Sequence, residues 1–303
     1  MLKFFRRNKK WQLFGLISPG ALWILIFFNL PLLIMLFISF VERGRAGGIK
    51  IPPVYTIQNY RLLFNSCVSQ YAGSECNPFL YIGIFGHSVR IGLVVTFLCI
   101  ILGYPLAYFM AKQKPIWRDA LMVLVIIPFW TNFLVRTYAL KSVLATEGLL
   151  NSALMNLHLL NQPLDLLFNE FAVVLGLIYG YLPFAILPMY TSIEKFDHTL
   201  MEAAADLGAP PRRAFFRVML PMTLPGVVAA LVLVFVPVVG AFITPDIMGG
   251  GKVEMIGTLI NRQFGVARNW PFGSAMSMIL MLLVLIGVIA YFRSGSEESR
   301  SAL

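Results

Sequence analysis

The chain has 303 residues, of which 58% are hydrophobic and only 13% are charged, and its mean hydropathy is +0.78. These values exclude an ordinary soluble domain and indicate an integral membrane protein. The net charge is +10, from 24 Lys and Arg against 14 Asp and Glu. We expect no nucleic-acid partner, because no stripe of basic residues interleaved with aromatics runs through a predicted soluble segment.

Six apolar runs are each long enough to cross a bilayer, which takes about 20 helical residues. The sequence therefore predicts an all-α polytopic membrane protein with six transmembrane helices. The predicted spans lie near Leu13–Val41, Gly86–Ala111, Ala120–Val143, Phe171–Ser192, Thr223–Thr244 and Phe272–Phe292.

The first apolar run follows a cluster of basic residues, as a signal peptide would. It is too long for a signal peptide and has no obvious small-residue cleavage site, so we expect a retained anchor helix. The predicted organisation is a tail over 1–12, a transmembrane domain over 13–292 and a second tail over 293–303.

The distribution of Lys and Arg predicts the orientation of the chain. Basic residues are dense in the two tails and in the short segments after the second and fourth predicted spans, and sparser in the longer loops. Because basic residues in short loops favour the cytoplasm, we expect both termini and the segment 193–221 to be cytoplasmic. The loop over 42–85 is then external.

Two of the three cysteines fall in this predicted outer loop. Cys67 and Cys76 would be allowed to form a disulfide in an oxidising compartment, while Cys99 lies inside a predicted helix. Two free thiols in the loop remain an equally good interpretation.

The segment over 193–221 is polar and lies between two long apolar runs. Thr199 and Glu202 have the spacing of a capping box, which predicts a helix start. Gly208 suits a left-handed end to that helix, and Pro210 suits the first turn of a second one. We therefore expect two short helices whose tight connection exposes Leu207.

The same segment carries a motif with fixed spacing. Its residues are Glu202, Ala203, Ala204, Gly208, Val218, Leu220 and Pro221. The motif resembles the cytoplasmic signature of permease subunits of type I ABC importers, with Val218 in place of the usual Ile. In that family the hairpin is the coupling helix, which fits a groove on the ATPase subunit, and we expect Leu207 to belong to it. After it, Pro221 and Pro225 are expected to redirect the chain into the membrane.

The resemblance implies partners and excludes catalysis by this chain. A type I importer pairs two permeases, which we expect to be heteromeric here, with two ATPase subunits and an external solute-binding protein, in the bacterial inner membrane. ATP and magnesium would bind the ATPase, so the chain itself has no expected cofactor, metal site or catalytic residue. The segment from Tyr55 to Phe64, as a short amphipathic helix, is a candidate contact for the binding protein.

Within the family the chain is most similar to the spermidine/putrescine permease branch, with matching stretches at 128–139, 245–252 and 269–275. The resemblance implies polyamine transport, and aromatic faces can bind amines by cation–π contact. The candidate pathway residues are Trp130, Thr131, Asn132, Tyr138, Tyr181 and Asp246.

The identity of the solute stays open on the residues alone. No Asp or Glu lies deep in a predicted span, and Arg136 would repel a polyamine and suit an anion. Snorkelling of Arg136 to the outer interface is the preferred alternative. The same importer class could carry another small solute, anionic or amino-acid-like.

Two other protein classes are less favoured. An ion-driven secondary carrier commonly has inverted repeats and functional intramembrane acids, and neither is visible. A membrane-embedded enzyme is disfavoured because no nucleophile, base or metal constellation is evident.

Overall fold

The computed structural model describes residues 9–65 and 78–301, with side chains over 16–65 and 78–289. Cys67 and Cys76 lie outside the described residues, so their predicted pairing stays open. The helices in chain order are α1 (Lys9–Ile24), α2 (Leu30–Ser39), α3 (Gln58–Phe64), α4 (Leu80–Ala111), α5 (Pro115–Trp130), α6 (Phe133–Leu144), α7 (Leu149–Asn156), α8 (Glu170–Glu194), α9 (Thr199–Asp206), α10 (Pro211–Ala214), α11 (Leu220–Val239), α12 (Ile243–Gly249), α13 (Ile256–Phe264) and α14 (Trp270–Ser301).

Five continuous helical stretches among the described residues are long and apolar enough to span a membrane. A bent helix pair raises this number to 6 if it forms one span. The all-α fold class is therefore confirmed. The continuous stretches are Leu16–Ser39, Leu80–Ala111, Glu170–Glu194, Pro211–Val239 and Trp270–Ile289.

The third predicted span is wrong as a continuous helix. The chain bends by 94° between α5 and the helices that follow it. Thr131 is extended, with φ −78° and ψ 147°. The Asn132 side chain then accepts a hydrogen bond from the Leu134 amide at 2.8 Å and caps the start of α6. A polar cap in the middle of an apolar run therefore ends one helix and starts the next.

The fifth predicted span also has different limits from those expected. Its helix begins at Pro211 and ends at Val239, before a break that separates it from α12. Neither Pro221 nor Pro225 redirects the chain, because both lie within this continuous stretch. Residues Phe215–Met219 widen into a π-helical turn, in which the Leu220 amide donates to the Phe215 carbonyl. Since Pro221 has no amide hydrogen, this wider turn lets the helix pass the proline without ending.

The same device occurs in the first span. Residues Leu25–Asn29 form a π-helical turn directly before α2, and the Leu30 amide donates to the Leu25 carbonyl. Pro31 follows at the second position of α2, as Pro221 does in α11. In both spans a proline is accommodated by a change of hydrogen-bond pattern on its N-terminal side.

The chain divides into two compact units, of which the first comprises 1–81 and 260–303. In this unit α14 packs against α2 and α3. The expected short helix between Tyr55 and Phe64 is present as α3, and the Asn59 amide donates to the Ser39 and Val41 carbonyls, both at 2.9 Å. These bonds fix α3 to the end of the first span.

The second unit comprises 82–259 and contains the hydrophobic core built from α4, α8 and α11. Helices α8 and α11 approach closely at Gly226. A Cβ atom at Gly226 would collide with Ser192 and would lie 2.7 Å from the Pro188 carbonyl oxygen. Glycine is therefore required here by close backbone packing, as is usual between membrane helices.

Candidate coupling hairpin and translocation surface

The hairpin begins with a cap that differs from the predicted one. Thr199 is the first residue of α9, and its amide donates to the Asp197 carboxylate at 3.0 Å. This bond holds the pKa of Asp197 below its ordinary value. The expected capping box of Thr199 and Glu202 is therefore wrong, because the acceptor side chain comes two residues earlier.

The end of α9 is as predicted. Gly208 has φ +79°, in the left-handed region. Its amide donates to the Ala205 carbonyl at 2.8 Å, and the Ala209 amide donates to the Ala204 carbonyl at 3.0 Å. This pair of bonds is a Schellman motif. It leaves Leu207 at the tip of the turn with 89% of its surface exposed.

The second helix of the hairpin starts one residue later than expected. Pro210 is extended, with φ −64° and ψ 151°, and Pro211 is the first helical residue. A proline at this position costs no hydrogen bond, because the first amides of a helix have no internal acceptor. From Pro211 the helix continues into the fifth span.

The signature residues divide into an exposed group and a packed group. Glu202, Ala203, Leu207 and Gly208 are exposed on the hairpin, while Ala204 is half-buried and Pro221 is exposed further along the chain. Val218 and Leu220 are half-buried and pack against the core of the second unit. The motif therefore combines a contact surface with its attachment to the helices behind it.

An aromatic contact extends this attachment to α4. The Phe215 ring meets the rings of Tyr104 and Tyr108 edge-on, with centroid distances of 5.8 and 6.4 Å. The Tyr104 hydroxyl also lies 2.8 Å from the Thr223 hydroxyl. A displacement of the hairpin would thus be felt by α4 and α11 together, because packed elements transmit strain.

An ion pair joins the start of α5 to the end of α8, the helix that precedes the hairpin. Arg118, in the first turn of α5, donates to Glu194 at the end of α8 at 2.7 Å. Glu194 lies three residues before the Asp197 cap. This pair is a contact between the broken span and the segment that leads into the hairpin.

Three of the predicted pathway residues lie together at the break between α5 and α6. Trp130 ends α5 and is 86% exposed, and Thr131 and Asn132 are also exposed. The Thr131 hydroxyl donates to the Pro128 carbonyl at 2.6 Å. The bend turns an aromatic and two polar side chains away from the core of their own unit.

Tyr181 lies at a separate cavity of about 300 Å³ in the second unit. Phe133 and Phe242 line the same cavity, and the Phe133 and Tyr181 ring centroids are 6.4 Å apart. The structure does not bring the remaining two candidates to this cavity. Tyr138 is exposed on α6, where Lys141 lies 5.9 Å from its ring centroid, and Asp246 is exposed in the first turn of α12.

The structure contradicts the preferred interpretation of Arg136, in which its side chain snorkels to the outer interface. The residue is 7% exposed, and its guanidinium carbon lies between 5.4 and 5.8 Å from three ring centroids. The bend explains the difference, because a straight helix would have carried Arg136 towards the end of the span. The break between α5 and α6 was not predicted from the sequence, where its signal is the Pro-x-x-Thr-Asn run over 128–132.

A second cation on a predicted span, Arg90, is paired with an acid. Arg90 on α4 donates to both carboxylate oxygens of Glu170, at 2.6 and 2.7 Å. The His87 ring lies 3.4 Å from the same carboxylate. Glu170, in the first turn of α8, is therefore engaged in a structural contact.

Residues 103–294 match the sequence pattern of a family described as "binding-protein-dependent transport system inner membrane component". The chain belongs to this family. It is a multi-pass inner-membrane permease subunit of an ABC importer, and the proteins that it resembles are named as transport permeases rather than as enzymes. The resemblance drawn from the hairpin motif is confirmed.

Among relatives of this permease, the spermidine/putrescine transport system permease protein PotB of Haemophilus influenzae is 40% identical over 92% of both chains. The protein of that name from Escherichia coli is 40% identical over 90% of this chain and 94% of its own. The inner membrane ABC transporter permease protein YdcU of Escherichia coli is 29% identical over 98% of this chain and 94% of its own.

The permease fold is also found among solved structures. A chain of a bacterial ABC transporter that imports the acidic polysaccharide alginate superposes with a TM-score of 0.76, covering 98% of both chains at 17% identity. A second structure of an alginate transporter, in complex with its alginate-bound periplasmic protein, gives a TM-score of 0.66 and covers 96% of this chain. At this identity the likeness concerns the fold.

Proposed function

We propose that this permease forms half of the translocation pathway of an ATP-driven polyamine importer, with spermidine and putrescine as substrates. The observation that carries the proposal is the 40% identity, over 92% of both chains, to a protein named as a spermidine/putrescine transport permease. Because that similarity spans nearly the whole chain, it includes the membrane helices as well as the hairpin.

The exposed aromatic side chains suit an amine cargo. The aromatic rings of Trp130 and Tyr138 are exposed on α5 and α6, and that of Tyr181 lines a cavity. An ammonium group is attracted to such faces, more strongly where water is excluded. Exposed Asp246 would supply a carboxylate. Each such contact would add only a moderate binding free energy, so the pathway could still release its cargo.

The hairpin would receive the work of ATP hydrolysis. In this proposal Leu207 enters a groove on the ATPase subunit, which binds ATP and magnesium, and the hairpin faces the cytoplasm. An exposed leucine gains free energy when an apolar pocket removes it from water. Movement would then pass through Phe215 to α4 and through Val218 and Leu220 to α11.

The proposed complex contains a second, different permease, two ATPase subunits and an external solute-binding protein. The solved alginate transporter with its periplasmic protein provides the precedent for the last partner. The external protein would dock on the first loop, where α3 is held by Asn59. Both termini are cytoplasmic in this arrangement.

A second candidate is the same importer class with an anionic cargo. The Nε atom of Arg136 is buried and has no hydrogen-bond partner within the described parts of the chain. Such a donor would suit an anion. One relative, 27% identical over 67% of this chain, is named as a molybdenum transport permease.

Reconstitution of the whole complex in liposomes tests both candidates. The complex is loaded with its binding protein, and uptake of radiolabelled spermidine is measured with and without ATP, in competition with putrescine, glutamate or molybdate. We expect ATP-dependent uptake that putrescine inhibits and the anions do not. Absence of spermidine uptake, together with ATP-dependent uptake of radiolabelled glutamate or molybdate, would support the second candidate. Ion-gradient-driven uptake by this permease alone would contradict both.

A further inference from the structure

Arg136 is a cation buried on α6, in the bent helix pair, and it has no acidic partner in the part of the chain whose side chains are described. No carboxylate lies within 4.0 Å of it among residues 16–65 and 78–289, although the chain pairs Arg90 and Arg118 with acids. An uncompensated charge in this environment is costly, so it persists only where other groups hold it and where it has a role. The contacts of Arg136 identify those groups.

Three aromatic rings surround the guanidinium. Its central carbon lies 5.4 Å from the Phe133 centroid, 5.7 Å from that of Phe129 and 5.8 Å from that of Tyr179. Phe129 belongs to α5, Phe133 to α6 and Tyr179 to α8. Phe129 is itself held edge-on against Phe184 at 4.7 Å. One cation therefore contacts three helices through ring faces, which attract it.

The guanidinium also donates a hydrogen bond to a backbone carbonyl at the bend. Arg136 donates from Nη1 to the Pro128 carbonyl at 3.2 Å. In an unbroken helix that carbonyl would accept from the amide of residue 132. Here Thr131 supplies two further donors, its amide at 3.4 Å and its hydroxyl at 2.6 Å. The last turn of α5 is thus tied to a side chain from the first turn of α6.

From these contacts we infer that Arg136 is a positioning residue that holds the bend between α5 and α6. By fixing the bend, it keeps Trp130, Thr131 and Asn132 directed away from the core. The guanidinium also occupies the ring faces of Phe129, Phe133 and Tyr179, so a substrate amine must use other aromatics. The transport consequence rests on the proposed function, whereas the bend itself does not.

Arginine suits this position better than lysine. A planar guanidinium can stack on rings while donating in its plane, whereas an ammonium is a compact and strongly hydrated charge. Lysine at 136 would keep the charge but would lose part of the stacking. We therefore expect Arg136→Lys to give an effect between those of the wild type and Arg136→Gln.

Pulsed EPR on the assembled complex measures the bend directly. Spin labels replace Trp117 on α5 and Val143 on α6, both exposed, in a background with Cys67→Ser, Cys76→Ser and Cys99→Ala. Arg136→Gln is expected to broaden the distance distribution and to move it to longer distances. Lys141→Gln is the matched control. Lys141 lies on α6, as Arg136 does, and contacts the rings of Tyr138 and Phe168, but it does not contact the Pro128 carbonyl.

Transport by the same variants separates positioning from general damage. We expect Arg136→Gln to lower the maximal ATP-driven uptake by on the order of tenfold, since a charge-assisted bond is lost. The concentration of loaded binding protein that gives half-maximal uptake should not change. If spermidine is the wrong cargo, uptake fails in every variant, but the EPR distances still test Arg136.

Thr131→Val and Arg136→Lys decide the matter if Arg136→Gln does not assemble. Thr131→Val removes the other side-chain donor to the Pro128 carbonyl without changing charge, and it should broaden the same distribution. A wild-type distribution in Arg136→Gln would overturn the inference. So would wild-type distributions in both Thr131→Val and Arg136→Lys.

Discussion

The Tyr104 hydroxyl lies 2.8 Å from the hydroxyl of Thr223, and both side chains are buried. Thr223 also donates to the Met219 carbonyl at 2.9 Å. Tyr104 therefore links α4 to the first turn of α11, directly after the hairpin. This contact lies between the surface that would bind the ATPase and the core of the membrane domain.

Tyr104→Phe removes this link and leaves the ring packing intact. We expect a loss of about 1 kcal/mol of stability, which is the usual net value of a hydrogen bond. The thermal midpoint of the purified complex, followed by tryptophan fluorescence, measures it. Tyr108→Phe is the control, because that ring also contacts Phe215 but its hydroxyl makes no such bond to any residue that the structure describes. Equal midpoints for the two variants would argue against the link.

Gly208→Val strains the turn of the hairpin without steric collision. No atom lies within 4 Å of a Cβ placed at Gly208, so the effect comes from its φ of +79° alone. A β-branched residue in this region costs about 1–2 kcal/mol. We expect normal membrane insertion, with ATP hydrolysis uncoupled from uptake. Gly208→Asn should behave almost as the wild type, since asparagine tolerates this backbone; loss of coupling in both variants would mean that the turn is not the cause.

Gly226→Ala tests the close approach of α8 and α11. The added methyl group would lie 2.7 Å from the Pro188 carbonyl oxygen, so the helices must separate. Overpacking of this kind costs about 1–3 kcal/mol. The midpoint of unfolding in detergent should fall. Gly83→Ala, which meets no atom within 4 Å, should leave it unchanged or raise it; a similar fall there would refute the packing explanation.

The cap of α9 depends on pH in a defined direction. The Thr199 amide keeps the folded pKa of Asp197 below the unfolded one, so the charged form stabilises the fold. This contribution is complete above the unfolded pKa and is lost as pH falls through the folded pKa. Protection of the α9 amides from hydrogen exchange should therefore weaken in acid.

Asp197→Asn should remove this acid dependence while keeping a side-chain acceptor, because asparagine caps helices as well as aspartate does. Asp197→Ala should reduce protection at neutral pH. If wild-type protection were unchanged on acidification, another group would have to cap the helix.

Hydropathy predicted the membrane class and most spans, because an uninterrupted run of about 20 apolar residues indicates a membrane-spanning helix. The hairpin was also predictable, because Gly208 and Pro210 mark the end of one helix and the start of the next by their own backbone preferences. The break after Trp130 was not, because it depends on a cap by Asn132 inside an apolar run. Consequently the surroundings of Arg136, which come from α5 and α8, could not be read from its neighbours in sequence. The cap at Asp197 was missed because Thr199 and Glu202 offered a competing local pattern.

A photoreactive residue at position 207, in the assembled importer, tests the central proposal most directly. Leu207 is the exposed tip of α9, and we predict that illumination crosslinks it to the ATPase subunit, with a yield that changes when ATP is bound. The same probe at Val266, which is also exposed but lies between the last two spans, on the external side in the proposed orientation, should give no ATPase product. Crosslinks from position 207 only to lipid, to the second permease or to the external binding protein would contradict the coupling role.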